Sequence, residues 1–320
     1  MGSSTEQRRA GFRAIPAWLR VALVCAAVAV LAAGYRLAVR PSQLHWGAAT
    51  DELRMALPED GIVAHPAFDA TRAITIQARP EQIWPWLVQM GYGRAGFYGY
   101  DLIESPGGGR GLSSATAILP ELQHPRAGDA LPLSVAASLQ FGTIDPNRAL
   151  VWRSHDTPHS GVFIWALVPV DGSHTRLISR IRWRYLDDPW GHALGIFTEF
   201  ADHVAVKAIL RGVRDRAEGR RPGSLVLQGF EIGGWMLAML EVLAAMAMVL
   251  RAERPVMWWC GAVGAGLMLM LVLYGGAPAW LNALIPWAWL GGMVWTMRGG
   301  RLFRGRQVRD PAHQETALGS

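Results

Sequence analysis

The distribution of apolar residues is the strongest constraint on this chain. Residues 15–35 and 229–297 carry long apolar runs, whereas residues 40–225 have the mixed polarity of a soluble domain. A helix that crosses a bilayer needs roughly 20 mostly apolar residues, and both runs offer such stretches. The sequence therefore predicts a multi-pass protein of the cell membrane with one globular insert.

The first apolar run, residues 15–35, has two interpretations. With the Arg20 side chain snorkelling outward, the run is long enough to be an uncleaved signal-anchor helix. A cleavable signal peptide is the alternative, because a basic start precedes the apolar stretch and small residues follow at positions 32–34. The signal-anchor is the preferred prediction.

Three further spans are predicted near the other end of the chain, at residues 229–250, 256–275 and 278–297. Gly and Pro at 275–278 separate the last two, because these residues end one helix and begin the next. Glu241 lies in the middle of the first of them, where an ionisable group is costly. It either has a function or is a structural group that faces the neighbouring helices.

The net charge of +6 lies beside these apolar segments. Residues 1–20, 211–221 and 298–320 each carry a net +3. A nucleic-acid-binding protein would carry a basic stripe on its folded domain, which this sequence lacks, so the bilayer is the expected partner and nucleic acid is not. The arginine distribution favours cytoplasmic termini and an extracytoplasmic soluble domain.

The insert has the pattern of an α+β domain. Alternating residues predict a strand at 71–78, a helix follows at 80–90, and strands separated by turns occupy 128–185. Residues 190–218 then repeat apolar side chains at helical spacing. A curved antiparallel sheet closed by one amphipathic helix usually leaves a cavity between them, so the sequence predicts such an arrangement.

The last strand of the insert has two distinct faces. One face carries apolar residues and is expected to face the core. The other face carries all four arginines of the strand, and we expect it to be solvated, with contact to lipid head groups as the alternative. The arginines of this face are Arg176, Arg180, Arg182 and Arg184.

Several segments resemble one known superfamily. The stretch TRAITIQARPEQIWPWLVQMGYGRAGFYGYD (71–101), then SATAILPELQ (114–123) and the later GD, RALV and WAL, resemble START-like, or SRPBCC, proteins. They are most similar to the branch of membrane-tethered polyketide-cyclase/dehydrase and lipid-transport proteins. The segment HWGAATDELRMALPEDG (45–61) also resembles the connector that precedes the domain in that branch. The resemblance covers about 45–218 and implies a helix-grip fold around a hydrophobic ligand cavity. It implies little about chemistry, because the superfamily contains binders, transporters and enzymes.

These patterns divide the chain into five expected parts. They are an N-terminal tail with the signal-anchor (1–40), a connector (41–70), the START-like domain (71–220), three transmembrane helices (229–297) and a basic cytoplasmic tail (298–320).

Gly91, Gly93 and Gly96 have the spacing GxGxxG of a dinucleotide-binding loop. That loop must precede a helix, but these glycines follow one, at the end of the helix dipole that repels phosphate. Gly91 is better explained as the residue that ends the helix. Two histidines, His155 and His159, have no third ligand nearby for zinc. No cofactor and no metal are therefore expected.

Cysteine chemistry is not expected either. Cys25 and Cys260 both lie in apolar segments, so the soluble domain has no disulfide framework and no catalytic thiol.

Aromatic side chains are the candidates for binding an apolar ligand. Those near the glycines would form either a mobile mouth to the cavity or an ordinary packed loop, and the others are on the predicted sheet and its flanking helix. The candidates are Trp84, Tyr92, Phe97, Tyr98, Tyr100, Trp165, Trp183 and Tyr185.

Three ionisable residues are weak candidates for catalysis. Asp101 follows the aromatic loop, with Glu104 one turn later, and such a carboxyl pair can do acid–base work. Asp101 as the N-cap of a helix is the alternative. Glu199 and His203 are four apart on the long helix and share a face, either toward the cavity or as a structural pair.

Three hypotheses about function follow. The first is a membrane protein whose START-like domain binds a lipid or an isoprenoid- or polyketide-like molecule. The second is an enzyme of the cyclase or dehydratase kind, and the third is a non-catalytic interaction or stress-response module. The sequence does not predict the oligomeric state.

Overall fold

The computed structural model describes residues 15–104, 113–154, 161–185, 188–251, 255–274, 280–281 and 284–291. The chain forms two compact units. One comprises Ala32–Gly229, and the other joins the two ends of the chain, Met1–Leu31 and Phe230–Ser320.

The first apolar run is helical from Ala17 onward. Helix α1 spans Ala17–Gly34, continues through a π-helical stretch at Tyr35–Val39, and ends as α2 at Arg40–Leu44. A π-helical stretch inserts an extra residue per turn, and such stretches are often found at functional positions. Helix α3, Thr50–Arg54, follows in the connector.

The insert is built on one antiparallel sheet. Its strands are paired in the order β1-β6-β5-β4-β3-β2. Helix α4, Pro80–Gln89, and the short α5, Asp101–Glu104, lie between the first two strands in the chain. The strands are β1 (Phe68–Ile76), β2 (Ala130–Pro132), β3 (Ser138–Asp145), β4 (Ala149–Arg153), β5 (Gly161–Pro169) and β6 (Thr175–Trp183).

Helix α6, Pro189–Ala217, packs on one face of this sheet through β1 and β6, and also against α4. Its start is capped by Asp188, whose carboxylate accepts the Gly191 N–H at 2.7 Å. The largest apolar core lies between the sheet, α4 and α6. The predicted α+β helix-grip fold, an antiparallel sheet with one long helix packed on it, is therefore confirmed.

The apolar segment after the insert forms two long helices, α7 (Leu225–Arg251) and α8 (Pro255–Tyr274). Among the described residues, three helices are long and apolar enough to cross a membrane: Ala17–Leu44, Leu225–Arg251 and Pro255–Leu273. Of the fourth predicted span, 278–297, only 280–281 and 284–291 are described, and these residues are helical.

Small residues form the buried stripe of α7, which suits close packing of membrane helices. Ala238, Ala245 and Val249 lie on this stripe at helical spacing, and so does Glu241, which is buried. Glu241 is thus buried among the helices of its own unit, and its role stays a prediction.

The connector covers part of the outer face of the sheet, which corrects the expectation of a solvated face at Arg176 and Arg180, whereas Arg184 is exposed as expected. Arg180 is buried, and its guanidinium donates to the Asp60 carboxylate (2.6 Å) and to the carbonyl oxygens of Glu52 and Met55 (both 2.7 Å). Arg176 forms a bidentate ion pair with the Glu52 carboxylate, at 2.7 Å for both contacts. These two arginines therefore hold the connector on the sheet.

Substitution of Arg180 by Ala is expected to release the connector. It removes one partner of a buried ion pair and leaves the Asp60 carboxylate and the α3 carbonyl groups without their donor, a loss of about 3 kcal/mol. Hydrogen exchange of the full chain in detergent should then show roughly hundredfold faster exchange at residues 49–62. The exposed Arg126→Ala is the control, and equal exchange in both variants would contradict the prediction.

Candidate ligand cavity

A cavity of about 200 Å³ lies between the sheet and α6. Its wall is mostly apolar and aromatic, with two carboxyl-bearing residues. Among the described residues, the wall is formed by Phe97, Glu104, Leu133, Trp152, Phe163, Trp165, Asp202, Ala205, Val206 and Ile209.

Strand alternation and helix periodicity explain why these residues share one space. Trp152 on β4 is directly opposite Phe163 on β5, and Trp165 follows two residues later on the same face. On α6, the lining positions 202, 205, 206 and 209 have the three- and four-residue spacing of a single helix face. Small Ala205 among these positions leaves room against the large rings of the sheet.

The rings also contact one another. The ring centroid of Trp152 lies 5.3 Å from that of Trp165 and 6.5 Å from that of Phe97, both edge to face. Phe163 is 6.4 Å from Trp152. Such contacts stabilise an aromatic wall beyond its burial alone.

Glu104, at the end of α5, is one of the two acidic residues of this wall. Both carboxyl oxygens are buried, and neither makes a well-aligned hydrogen bond to a described residue. Burial raises the pKa of Glu104 to about 7, the nearby Asp101 carboxylate acts in the same direction, and the neighbouring N–H groups of Tyr100 and Gly99 oppose it. The group can therefore exchange a proton near neutral pH.

Asp202 is the second acidic residue of the wall, and it is paired. The Arg72 guanidinium, on β1, donates to its carboxylate with Nη1 and Oδ2 2.5 Å apart, and both side chains are buried. The Arg72 Nε donates at 2.8 Å to the carbonyl oxygen of Gln43. The charge of Asp202 is thus balanced from the sheet, whereas that of Glu104 is not.

The predicted catalytic residues Asp101, Glu199 and His203 are not among the described wall residues of the cavity. The Asp101 carboxylate accepts a hydrogen bond from the Ser114 hydroxyl at 2.5 Å. The same hydroxyl oxygen accepts the Tyr98 N–H at 3.0 Å. Asp101 therefore joins the aromatic loop to the segment that begins at residue 113.

Glu199 and His203 do share a helix face, but this face contacts α2. The Glu199 carboxylate binds the Arg40 guanidinium at two distances of 2.8 Å and accepts the Tyr185 hydroxyl at 2.5 Å. His203 donates from Nδ1 to the Gln43 carbonyl oxygen at 3.1 Å, since a carbonyl only accepts. Burial, with the charges of Arg72 and Lys207, lowers the pKa of His203 to about 3.

The predicted aromatic ligand contacts are divided between the cavity and the core. Phe97 and Trp165 line the cavity. Tyr98 is a packed core residue: its hydroxyl donates to the Trp86 carbonyl oxygen, and the Arg216 guanidinium lies 4.3 Å from its ring centroid. The remaining candidates, Trp84, Tyr92, Tyr100, Trp183 and Tyr185, lie outside the described wall.

These remaining residues have other surroundings. Trp84 and Trp183 pack against the main core. Tyr92 borders a separate open groove beside the turn at 132–138. Tyr100 is half-buried, and the Tyr185 hydroxyl donates a hydrogen bond to the Glu199 carboxylate. Their part in ligand binding stays a prediction.

Eight of the ten described wall residues were not among the ligand candidates, and four of these eight are aromatic or acidic: Glu104, Trp152, Phe163 and Asp202. A signal for Phe163 was present, since it is two residues from Trp165 and so shares its face of a strand. Glu104 was considered only as a neighbour of Asp101. No local signal distinguishes Asp202 from the other polar residues of α6.

The glycines of the GxGxxG pattern form a closed turn. Gly91, Gly93 and Gly96 all have positive φ, at 137°, 68° and 79°, a region that favours glycine. Gly91 and Gly96 exchange backbone hydrogen bonds of 3.2 and 3.1 Å just after α4. The GxGxxG pattern therefore lies after a helix, as expected, and its glycines allow the backbone to form this turn.

In the part of the chain that the structure describes, no three His, Cys, Asp or Glu side chains are grouped so as to hold a metal ion. His155 and His159 lie outside the described residues.

Comparisons with known proteins give matches only among solved structures. A START superfamily protein from Mycobacterium smegmatis is 14% identical, with a TM-score of 0.29, over 45% of this chain and 96% of its own. CalU16 from Micromonospora echinospora is 13% identical, with a TM-score of 0.31, over 57% and 89%. A protein from Thermus thermophilus is 14% identical, with a TM-score of 0.31, over 47% and 97%.

No family model and no curated protein matches the chain. At these identities and TM-scores, the likenesses to solved structures support no conclusion about ligand, activity or membrane branch.

The raised pKa of Glu104 predicts a pH-dependent stability. The folded protein holds this proton up to about pH 7, whereas the unfolded chain loses it near pH 4.5. Stability therefore falls as pH rises through this window and is unaffected by Glu104 outside it. Glu104→Gln should abolish this pH-dependent fall in the free energy of unfolding, which amounts to at most about 3 kcal/mol. The Tm of the variant minus that of wild type should therefore increase from pH 4.5 to 7.

Thermal unfolding of the full chain in detergent across this pH range measures the effect. Exposed Glu81→Gln controls for loss of a surface carboxylate. A Tm difference between wild type and Glu104→Gln that does not change with pH would contradict the prediction.

Proposed function

We propose that this chain is an integral membrane protein whose START-like domain binds one small hydrophobic molecule in the cavity between the sheet and α6. The observation that carries the proposal is the aromatic wall around about 200 Å³ of space. Protein interiors are close-packed, and empty space of this size is rare without a function. Apolar walls with a few placed polar groups are typical of small-molecule sites.

The volume of the cavity limits the size of the ligand. An engineered apolar cavity of about 150 Å³ holds benzene, and pockets for drug-sized molecules start at about 300 Å³. A space of about 200 Å³ suits a compact ring system or a short part of an isoprenoid or acyl chain. It supports a polyketide- or isoprenoid-like fragment over a whole two-chain lipid.

In this proposal the apolar helices attach the domain to the bilayer. Three described helices are able to cross a bilayer, and attachment raises the concentration of the domain where apolar molecules gather. The arginine distribution favours cytoplasmic termini and an extracytoplasmic domain, and this orientation belongs to the proposal. The proposal also includes the division of the chain into five parts, at 1–40, 41–70, 71–220, 229–297 and 298–320.

Filling the cavity should abolish binding. Ala205→Phe places a ring in the space, while Ala201→Phe adds the same ring to an exposed position of the same helix. Native mass spectrometry of the full chain released from detergent should show a small molecule on wild type and on Ala201→Phe, and none on Ala205→Phe. Circular dichroism would verify that both variants fold. Equal loading of both variants, or no small molecule on any protein, would refute the proposal.

An enzyme is the second candidate, and Glu104 is the observation that favours it. A carboxyl with its pKa near 7, buried beside aromatic rings, is suited to act as a general base or acid. The earlier candidates, Asp101, Glu199 and His203, are engaged by Ser114, Arg40 and Gln43. We therefore assign the acid–base role in this alternative to Glu104.

A compact base-sensitive probe tests this alternative. In 5-nitrobenzisoxazole, removal of the ring C–H proton by a carboxylate sends the electron pair into a nitrile, breaks the N–O bond and releases a coloured phenolate. The full chain should accelerate this step, with kcat/KM rising with pH through about 7 as Glu104 ionises. Glu104→Gln should lose about 10²-fold or more, and Ala205→Phe should lose it too.

Exposed Glu81→Gln is the matched control and should retain the rate. A wild-type rate equal to that of Glu104→Gln would exclude a general base at this position.

A further inference from the structure

The first turns of α6 carry three large apolar side chains that are exposed. Trp190, Leu194 and Phe197 are 85%, 61% and 64% exposed. They are four and three residues apart, so they lie on one face of the helix. Single exposed apolar residues are common, but three large ones side by side mark a surface that contacts a membrane or another protein.

Three contacts show how α6 lies along α2 and the turn that follows it. Successive positions of α6 contact successive positions of this segment. The pairs are Glu199 with the Arg40 guanidinium (2.8 Å), His203 with the Gln43 carbonyl oxygen (3.1 Å) and the Lys207 ammonium with the centroid of the Trp46 ring (5.7 Å). The two segments therefore run in the same direction. The residues that precede Glu199 in α6 thus lie toward the residues that precede Arg40.

The boundary of a bilayer is expected close to this place in the chain. Residues 32–44 belong to the same compact unit as α6, and they continue the first candidate span, Ala17–Leu44. Because a span needs roughly 20 residues, one that begins at Ala17 ends near Arg36. Arg36 is exposed and Tyr35 precedes it, and both side-chain types are common at a membrane interface.

Helix geometry then gives the depth of the apolar face. Arg40 is four residues beyond Arg36, or about 6 Å along the helix. Leu194 and Trp190 precede Glu199 by five and nine residues, or about 7.5 and 13.5 Å in the opposite direction. Leu194 is therefore about level with Arg36, and Trp190 lies about 8 Å deeper. Helices that lie in the interface bury their apolar faces to a similar depth, about 5–10 Å.

Resting on the membrane part of the proposed function and not on ligand binding, we propose that the first turns of α6 enter the bilayer interface, with Trp190, Leu194 and Phe197 in contact with lipid. The bilayer is favoured over a protein partner, because this face lies alongside a helix that itself leads into the membrane. Asp202, the first described cavity residue on α6, follows Phe197 by five residues, or about 7.5 Å. The helix side of the cavity therefore begins close to the lipid.

Quenching of a fluorescent label by lipid tests this depth. Single cysteines labelled with the dye NBD are introduced into the full chain after Cys25→Ser and Cys260→Ser remove the two native thiols. The labelled positions, all exposed, are Leu194→Cys, Phe197→Cys, Val21→Cys in the first span and Val170→Cys in the turn between β5 and β6. Each protein is reconstituted in phosphatidylcholine vesicles, with and without lipid that carries a spin label near the top of its acyl chain.

The labels at 194 and 197 should behave like the membrane control at 21. We expect lipid to quench all three at least about threefold more strongly than the label at 170, because an interfacial helix lies at the depth of the spin label. Iodide in the buffer should give the opposite order, with the label at 170 quenched most. Circular dichroism would verify that the four labelled proteins fold alike.

Three outcomes overturn the proposal, and they are distinguishable. If lipid quenches the label at 21 but iodide quenches those at 194 and 197, the start of α6 lies in water, while the membrane part of the proposed function stands. If neither lipid nor iodide quenches the labels at 194 and 197, a protein surface covers this face instead of the bilayer. If lipid does not quench the label at 21, the membrane part of the proposed function fails as well.

Discussion

The ion pair between Arg72 and Asp202 is the contact on which the domain depends. It joins β1 to the middle of α6 within the buried layer, and Arg72 also donates to the Gln43 carbonyl at the end of the first long helix. A buried charge that loses its partner costs several kcal/mol, so the pair fixes where α6 lies on the sheet. Because Asp202 also lines the cavity, the same contact sets the position of the helix wall at Ala205, Val206 and Ile209.

Arginines hold the opposite face of the sheet by the same principle. Arg180 and Arg176 bind Asp60 and Glu52 of the connector, which lie 120 and 124 residues earlier in the chain. The segment that leads from the first apolar helix is thereby attached to the outer face through charge, while α6 covers the inner face through apolar packing and one ion pair. Much of the sheet is therefore buried on both sides, although its outer side is rich in arginine.

Local sequence patterns were sufficient to predict the helices and strands but not the tertiary contacts between them. The alternation in β6 and the apolar spacing in α6 depend on neighbouring residues, so their type and order were predictable. The burial of Arg180 was not, because it requires Asp60 and the end of α3, which no local pattern brings to β6. For the cavity, Trp165 and Phe97 were predicted as aromatic residues, whereas Glu104 belongs to one short turn whose direction depends on tertiary contacts.

Unpartnered buried atoms and paired charges act in opposite directions on the stability of the domain. Glu104, Trp152 and Trp165 each carry a buried polar group that lowers the stability of the empty domain, and the surrounding rings prevent water from compensating. The firmly paired groups nearby, Asp202 with Arg72 and Glu199 with Arg40, offset this cost by fixing α6 on the sheet and α2 on α6. The domain therefore keeps the position of α6, and with it the helix side of the cavity, through paired charges rather than through these unpartnered atoms.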